Sequence, residues 1–393
     1  MHTARRLDRI EPFYVMECAK AADEIARSSA CDPALGGRRM IYLNIGEPDF
    51  GAAPLVKAAA VRCIESGQTP YTPALGLPAL REAISAWYAQ RFGLAIEPGR
   101  IVVTAGASAA LQLACLALFQ AGDEVLLPDP CYPCNRHFLA AADATARLLP
   151  ASSAQRFQLS SSQVRAAWGP STRGVLLASP SNPTATSIAP EELASIVDVV
   201  RAHGGVSLVD EIYLPLSYDT RYERSALGLG DAIVSVNSFS KYFGMTGWRL
   251  GWLVLPPALV GPVERLAQNL YICPSTIAQQ AALACFEPAS IAEFERRRAE
   301  LKARRDFIVP ALNALGLTVP VMPDGAFYAW IDCSAHRPDS WTFAFELMQR
   351  AQVTLTPGRD FGAADPERWL RLSFASSMAD LQEAVARLRE VLA

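Results

Sequence analysis

Ser238-Phe239-Ser240-Lys241, continued by Met245, Gly247-Trp248-Arg249 and Gly251, carries the strongest signal in this 393-residue chain. A hydroxyl stands three residues before the lysine and an arginine eight residues after it. A solvated surface lysine needs no such frame. A lysine that condenses with an aldehyde does, when the aldehyde is carried on a phosphate. The amine takes the carbonyl, while Ser238 and Arg249 hold the phosphate.

Outward from this stretch, short β-rich runs alternate with helical patterns. Strands are expected at Arg100–Thr104, Glu124–Leu127, Gly174–Ala178, Val206–Val209, Ile233–Asn237 and Trp252–Leu255. Helical periodicity fills Ser108–Phe119 and Glu191–Ala202, with Pro190 at a first helical position and Glu191 and Glu192 in the first turn. This alternation predicts an α/β fold, with a mostly parallel central sheet covered by helices on both faces. From residue 286 the texture changes. A charged helical run (Ala292–Arg305) leads to Thr318–Met322, then Gly325–Trp330, then helical patterns at Trp341–Arg350 and Met378–Ala393. A large domain is therefore expected over 41–285. A smaller α+β domain is expected from 286–393 with 1–40, whose helix is read at Glu17–Ser28.

Composition narrows the function. Apolar residues make up 51% of the chain and charged residues 19%, with a net charge of −3 and no block of like charge. Neither nucleic acid nor an anionic membrane is an expected partner. Nine scattered cysteines favour free thiols. Cys131 and Cys134 form a lone CxxC without partners for zinc or redox chemistry, and no metal site is expected. The first twenty residues lack the apolar core of a signal peptide, and runs such as Leu111–Phe119 are too short to span a bilayer. The cytoplasm is the expected location.

Further motifs supply what an aldehyde-bearing phosphate needs, and pyridoxal phosphate carries both groups. Asp210, in Val209-Asp210-Glu211-Ile212-Tyr213, ends a buried strand where a carboxylate can hold a proton on the pyridine nitrogen. Tyr213 can donate to the ring's phenolic oxygen. In Thr104-Ala105-Gly106-Ala107-Ser108, a strand-to-helix turn offers free N–H groups at Ala107 and Ser108 to phosphate. Tyr132, between Pro130 and Pro133, can stack on the ring. Asn182, in Ser181-Asn182-Pro183-Thr184, can reach the same phenolic oxygen as Tyr213. Arg371 alternates with apolar neighbours in Trp369–Phe374, and its fork suits a substrate carboxylate. Taken singly, each has an ordinary reading: a turn cap, a packed loop aromatic, an Asn-Pro turn, a salt-bridged strand arginine.

Together these residues resemble the class I/II, fold-type I, pyridoxal-phosphate aminotransferases. The resemblance runs from Asn44-Ile45-Gly46-Glu47-Pro48-Asp49-Phe50, through Tyr71-Thr72-Pro73, Gly76 and Leu80–Ile84, to Arg371. It implies that Lys241 forms the Schiff base and shuttles the Cα proton, and that Asp210 partners the pyridine nitrogen. Tyr213 and Asn182 bind the phenolic oxygen; Ser238, Arg249 and the amides of Ala107 and Ser108 form the phosphate cup; Tyr132 stacks. Tyr71 reaches the partner subunit's phosphate, so a homodimer is expected. Arg371, Asn182 and the Gly46 backbone take the substrate carboxylate. One departure stands out: relatives have glycine after Asn-Pro-Thr, and this chain has Ala185.

The expected reaction is ping-pong transamination between an L-amino acid and a 2-oxo acid. The alternatives are a lyase on the same scaffold, by β-elimination or decarboxylation, and a non-catalytic effector module, which would carry an added DNA-binding domain. Phe13–Met16 reads as an apolar flap, with Phe327 and Tyr328 at the same mouth. No second arginine is assignable to a side-chain carboxylate.

Overall fold

The fold was analysed on a computed structural model that describes residues 2–392. Met1 and Ala393, the outer ends of the expected small-domain segments, lie outside the described residues. The chain opens with α1 (Tyr14–Ala26), β1 (Ile41–Tyr42), α2 (Pro54–Glu65), α3 (Pro78–Phe92), β2 (Ile101–Thr104), α4 (Ala107–Leu118), β3 (Glu124–Asp129), α5 (Pro133–Ala141) and β4 (Thr145–Pro150). It continues with α6 (Ser161–Ala167), β5 (Thr172–Ala178), α7 (Pro190–Ala202), β6 (Val206–Asp210), β7 (Val234–Ser238), β8 (Gly251–Val254), α8 (Pro257–Leu270) and α9 (Thr276–Leu283). The last part holds α10 (Pro288–Asn313), β9 (Tyr328–Asp332), α11 (Ser340–Arg350), β10 (Val353–Thr354), β11 (Thr356–Pro357), β12 (Trp369–Ser373) and α12 (Met378–Leu392).

Seven strands form the central sheet in the order β2-β8-β7-β6-β5-β3-β4. All neighbours pair in parallel except β8, which runs antiparallel to both β2 and β7. The continuous apolar runs are explained by burial on both faces. On β6, Leu208 packs with the α4 side and Val209 with the α7 side. On β2, Val102 faces the first of these layers while Ile101 and Val103 face the opposite core. α7 begins at Pro190, as its sequence predicts, and buries Leu193, Ile196, Val197 and Val200 at helical spacing.

Two smaller sheets complete the fold. β11, β12 and β9 form an antiparallel trio, and β1 pairs in parallel with β10. β1 lies inside the expected large-domain range yet hydrogen-bonds to Val353–Thr354. α1 lies against α11 and β10, whereas Arg5–Arg9 crosses to α5.

Several expectations shift. β7 runs one residue later and β8 one residue earlier than expected. β4 was not expected; it is an edge strand whose exposed positions dilute the apolar signal. Thr318–Met322 contributes one isolated bridge, Thr318 to Asp332. α10 extends past Ala292–Arg305 at both ends and runs on through Pro310, a residue that in a sequence marks a helix break. Its buried face includes Arg297 and Arg304 beside Phe294, Leu301 and Ile308.

Those two arginines clamp the loop after β1. Arg304 Nη1 and Nη2 donate to the two Asp49 oxygens at 2.8 and 3.0 Å, and Nη1 also to the Ala375 carbonyl at 2.7 Å. Arg297 Nη1 donates to the Gly51 carbonyl at 2.7 Å. Arg304→Ala is expected to destabilise the fold by about 2 kcal/mol, because it empties a buried position and strips the buried Ala375 carbonyl of a charged donor, while Asp49 is accessible enough to be solvated. Arg296→Ala, on the exposed face of the same helix, should leave the thermal midpoint unchanged. Equal melting shifts for the two variants would remove the clamp from the account of stability.

Candidate active site

The C-terminal ends of β2, β3, β5, β6 and β7 share one edge of the sheet, where open α/β sheets present ligands. Each releases a loop: Thr104 to Ala107, Asp129 to Tyr132, Ala178 to Asn182, Asp210 to Tyr213, and Ser238 to Lys241. β12 brings Arg371 to the same place, and β9 brings Tyr328. Together they enclose a cavity of about 480 Å³.

Ten of the twelve residues expected at the site line this cavity: Lys241, Asp210, Tyr213, Ala107, Ser108, Tyr132, Asn182, Arg249, Gly46 and Arg371. Ser238 does not. Its hydroxyl is buried against Ser240 Oγ (2.9 Å) and the Leu250 carbonyl (3.1 Å), and Ser240 stands on the wall instead. The β7 strand runs through Ser238, which keeps that side chain within the sheet edge. Tyr71 is 80% exposed and outside the cavity of its own chain.

One corner is built for an anion. Gly106 has φ +87°, and a Cβ there would come within 2.6 Å of Arg249 Nη2. Only glycine lets the guanidinium approach the turn so closely. Arg249 itself sits at φ +52° and donates to the Thr246 carbonyl at 2.9 Å. No side chain caps α4, so the N–H groups of its first turn remain available beside Arg249.

The deeper part holds two ionisable groups, each shifted toward neutrality. The Lys241 amine donates to the Gly46 carbonyl at 2.6 Å. Burial lowers its pKa to about 8, against the opposing pull of Glu47. The Asp210 carboxyl is pushed up to about 7, chiefly by burial. Its one protein hydrogen bond comes from the Ile212 amide at 3.0 Å. The Tyr213 hydroxyl meets that of Tyr328 at 2.7 Å.

Arg371 is 2% exposed. It donates to Asn182 Oδ1 at 2.8 Å and to the Asn44 carbonyl at 2.6 Å. The rings of Tyr328 and Phe361 lie 4.5 and 4.8 Å from its guanidinium carbon. Asn182 lies in a turn, closed by the Ala185 amide on the Ser181 carbonyl, in which Ala185 takes φ +55°. The strain of about 1–2 kcal/mol is partly offset by burying a methyl worth about 0.8 kcal/mol, which accounts for alanine at a glycine-favouring position.

The remaining wall is apolar. Phe13, Val15, Met16 and Ala19 enter from the N-terminal segment, with Ile45, Leu111 and Ile212 from the large sheet's loops. The expected flap therefore borders the cavity, and so does Tyr328, while Phe327 is buried behind it. Sequence reading missed Ser240, Glu47, Thr246 and Ile212. Ser240 adjoins Lys241, and Glu47 lies within the Asn44–Phe50 motif, so both stood in stretches already singled out.

Cys131 is buried and Cys134 half-buried, and both are free thiols. Among the described residues, no three His, Cys, Asp or Glu side chains converge as a metal site, and no helix is long and apolar enough to cross a membrane.

Comparison with known proteins agrees with this geometry. Residues 38–388 match the family described as aminotransferase class I and II. Valine–pyruvate aminotransferase of Mycobacterium tuberculosis is 39% identical over 380 residues, covering 96% of either chain. A crystal structure of an aminotransferase from Mycobacterium tuberculosis superposes with a TM-score of 0.94 at 38% identity, covering 100% of this chain and 99% of that one. Aspartate aminotransferase from Thermus thermophilus, solved with maleate, gives 0.91 at 31% identity, covering 100% of both chains. These relatives support amino transfer and not the lyase alternative. The chain belongs to the class I and II aminotransferases, enzymes that move an amino group between an amino acid and a 2-oxo acid.

Proposed function

We propose that this aminotransferase binds pyridoxal phosphate in the 480 Å³ cavity and acts on amino acids with apolar side chains. Class I and II aminotransferases are pyridoxal-phosphate-dependent, and the residues here fit that group. The observation that carries the reading is Asp210, a buried carboxylate with no cationic partner in hydrogen-bonding contact, sharing a cavity with a buried amine. Arg249, the Ala107 and Ser108 amides and Ser240 would hold the phosphate, with Ser238 supporting Ser240 from behind. Tyr132 would lie along the ring, and Tyr213 and Asn182 at its phenolic oxygen.

When bound, the cofactor supplies an aldehyde that captures the donor's amine and a protonated ring that draws electrons from the substrate Cα. Asp210 holds the proton on the ring nitrogen. Lys241, the residue we assign to carry the cofactor in the resting enzyme, would take the proton from the substrate Cα with Nζ and return one in the second half-reaction. Arg371 and Asn182 grip the α-carboxylate, with the Gly46 backbone beside them, and so fix which bond at Cα faces the lysine. In this reading 41–285 is the unit that holds the cofactor, and 1–40 with 286–393 is the unit that brings Arg371 to it.

The side-chain preference rests on charge. Two arginines line the cavity; one is assigned to phosphate and one to the α-carboxylate. None among the described residues is left there for a second substrate carboxylate, and Glu47 would repel one. Phe13, Val15, Met16 and Ile45 offer apolar contact. The name of the valine–pyruvate relative agrees with this preference. A second copy of the chain is the remaining partner: Tyr71 is exposed, and its neighbour Pro70 is held by Thr276 (2.7 Å) close to the exposed Ile272. Nine free thiols favour a reducing compartment, the cytoplasm.

Lys241→Ala should abolish turnover while leaving phosphate-anchored binding. In cofactor-free protein, labelling of Lys241 by an amine-selective reagent should be half-maximal near pH 8. Glu47→Gln should move that midpoint lower, since Glu47 favours the charged amine; a midpoint above pH 10 would contradict the buried-amine account. Valine, leucine or phenylalanine should exceed aspartate in kcat/KM by roughly tenfold or more, an apolar side chain's worth of contact. Arg371→Lys should raise KM for all donors by a similar factor through loss of the fork. A preference for aspartate would sink the substrate assignment. Tyr71→Phe should speed loss of cofactor from the dimer, and unchanged retention would remove Tyr71 from the partner's site.

A further inference from the structure

The N-terminal segment is fastened on both sides of the cavity. On one side, the Arg5–Arg9 turn sits on the C-terminal end of α5. Arg9 donates to the carbonyls of Ala140 (3.2 Å) and Ala144 (3.3 Å) and pairs with Asp143 at 3.3 Å. Arg6 donates to the Ala141 carbonyl at 3.3 Å and pairs with Asp143 at 3.1 Å. Cations are stabilising at a helix C-terminus, where carbonyls lack partners. α5 starts at Pro133, immediately after Tyr132, so this anchor grips an element that begins at the cavity.

On the other side, α1 begins without a cap of its own, because Phe13 offers no side-chain acceptor. Asp360 supplies it from far along the chain, accepting from the Tyr14 amide at 3.2 Å and the Val15 amide at 3.0 Å. The carboxylate is 1% exposed. Arg136, on α5, donates to the Asp360 carbonyl at 3.2 Å and pairs with Glu11 at 3.3 Å. The next residue, Phe361, lies under Arg371. One loop therefore touches both the strap and the arginine assigned to the substrate carboxylate. Neither Arg9 nor Asp360 lines the cavity.

Phe13 lies between the two anchors, and Val15, Met16 and Ala19 sit at or just beyond the second on the first turns of α1; all four line the cavity, and Phe13 meets the Tyr132 ring edge-on at 6.5 Å. We propose that Arg9 and Asp360 are positioning residues that hold Phe13–Ala19 as the wall against which the substrate side chain packs, and so set its preferred size. This rests on the apolar-donor reading above and adds the devices that fix that wall's depth. The wall's contact with the donor grows with side-chain size. Loosening it therefore weakens binding of a large donor more than of a small one, and acts through KM rather than kcat.

The test compares Arg9→Ala, Asp360→Ala and Asp360→Asn with the unsubstituted dimer, using leucine and alanine as donors and hydrogen exchange as an independent readout. Arg9 lies at a surface turn, so its variant folds even if loss of the buried Asp360 carboxylate is poorly tolerated. In the two alanine variants, exchange should quicken at Tyr14–Ala19 and stay unchanged in α12. KM for leucine should rise roughly fivefold, the worth of a helix cap, with kcat nearly constant and a smaller change for alanine. Asp360→Asn, which keeps one acceptor, should recover part of both effects. Unchanged exchange at Tyr14–Ala19 would overturn the anchors. Faster exchange with an unchanged leucine-to-alanine ratio would overturn the wall. Failure of the unsubstituted enzyme to use either donor would defeat the apolar-donor reading and the wall with it, while exchange still reports the anchors.

Discussion

The Arg371 guanidinium is the junction on which the site depends. It comes from β12 in the small sheet, bonds Asn182 from the loop after β5, and bonds the Asn44 carbonyl from the loop after β1. Removing a guanidinium from water costs several kcal/mol, and an ion pair ordinarily offsets it. Among the described residues, no carboxylate lies within ion-pairing reach of Arg371. Two neutral acceptors and two aromatic faces carry the charge instead. On the reading proposed above, the counter-charge it would meet is the substrate's carboxylate, so a residue that ties three segments together would also receive the anion.

The loop from Asn44 to Gly51 transmits this order. Its Asn44 carbonyl serves Arg371, its Gly46 carbonyl serves Lys241, and its Asp49 and Gly51 are gripped by Arg304 and Arg297 of α10. Gly46 has no room for a Cβ, because the Tyr328 hydroxyl lies against it. The two backbone acceptors are thus set by a buried helix face rather than by the cavity wall. Fold stability and the placement of the reactive amine meet in one segment.

Much of this was legible in the chain. The strand ends that deliver Asp210, Asn182 and Lys241 could be read because buried parallel strands are short apolar runs that stop at polar loop residues. α7 announced itself through Pro190 and two glutamates. What escaped depended on side-chain direction or on distant contacts. Ser238 ends β7 and Ser240 stands two residues on in the loop beyond it, and no spacing rule says which hydroxyl reaches the cavity. α10 continues through Pro310, which reads in sequence as a helix break. The cap on α1 lies in Asp360, 346 residues beyond Tyr14, and no local pattern reveals it. Tyr71, exposed in its own chain, would find its role in another molecule.

The charge balance of the cavity argues for the kind of occupant it takes. Lys241, Arg249 and Arg371 face Asp210 and Glu47, so cations outnumber carboxylates before anything binds. Burial presses the lysine down to about 8 and Asp210 up to about 7, so charge on either group costs more than it would in water. A neutral apolar ligand would leave that cost in place. A dianionic phosphate at Arg249, a carboxylate at Arg371, a protonated ring nitrogen at Asp210 and an electrophile at Lys241 would relieve it at four points together. On the reading proposed above, these four demands match a phosphorylated aldehyde with an amino acid beside it. On that reading, the burial that makes charge costly at Lys241 and Asp210 is also what would favour that pair over a neutral ligand.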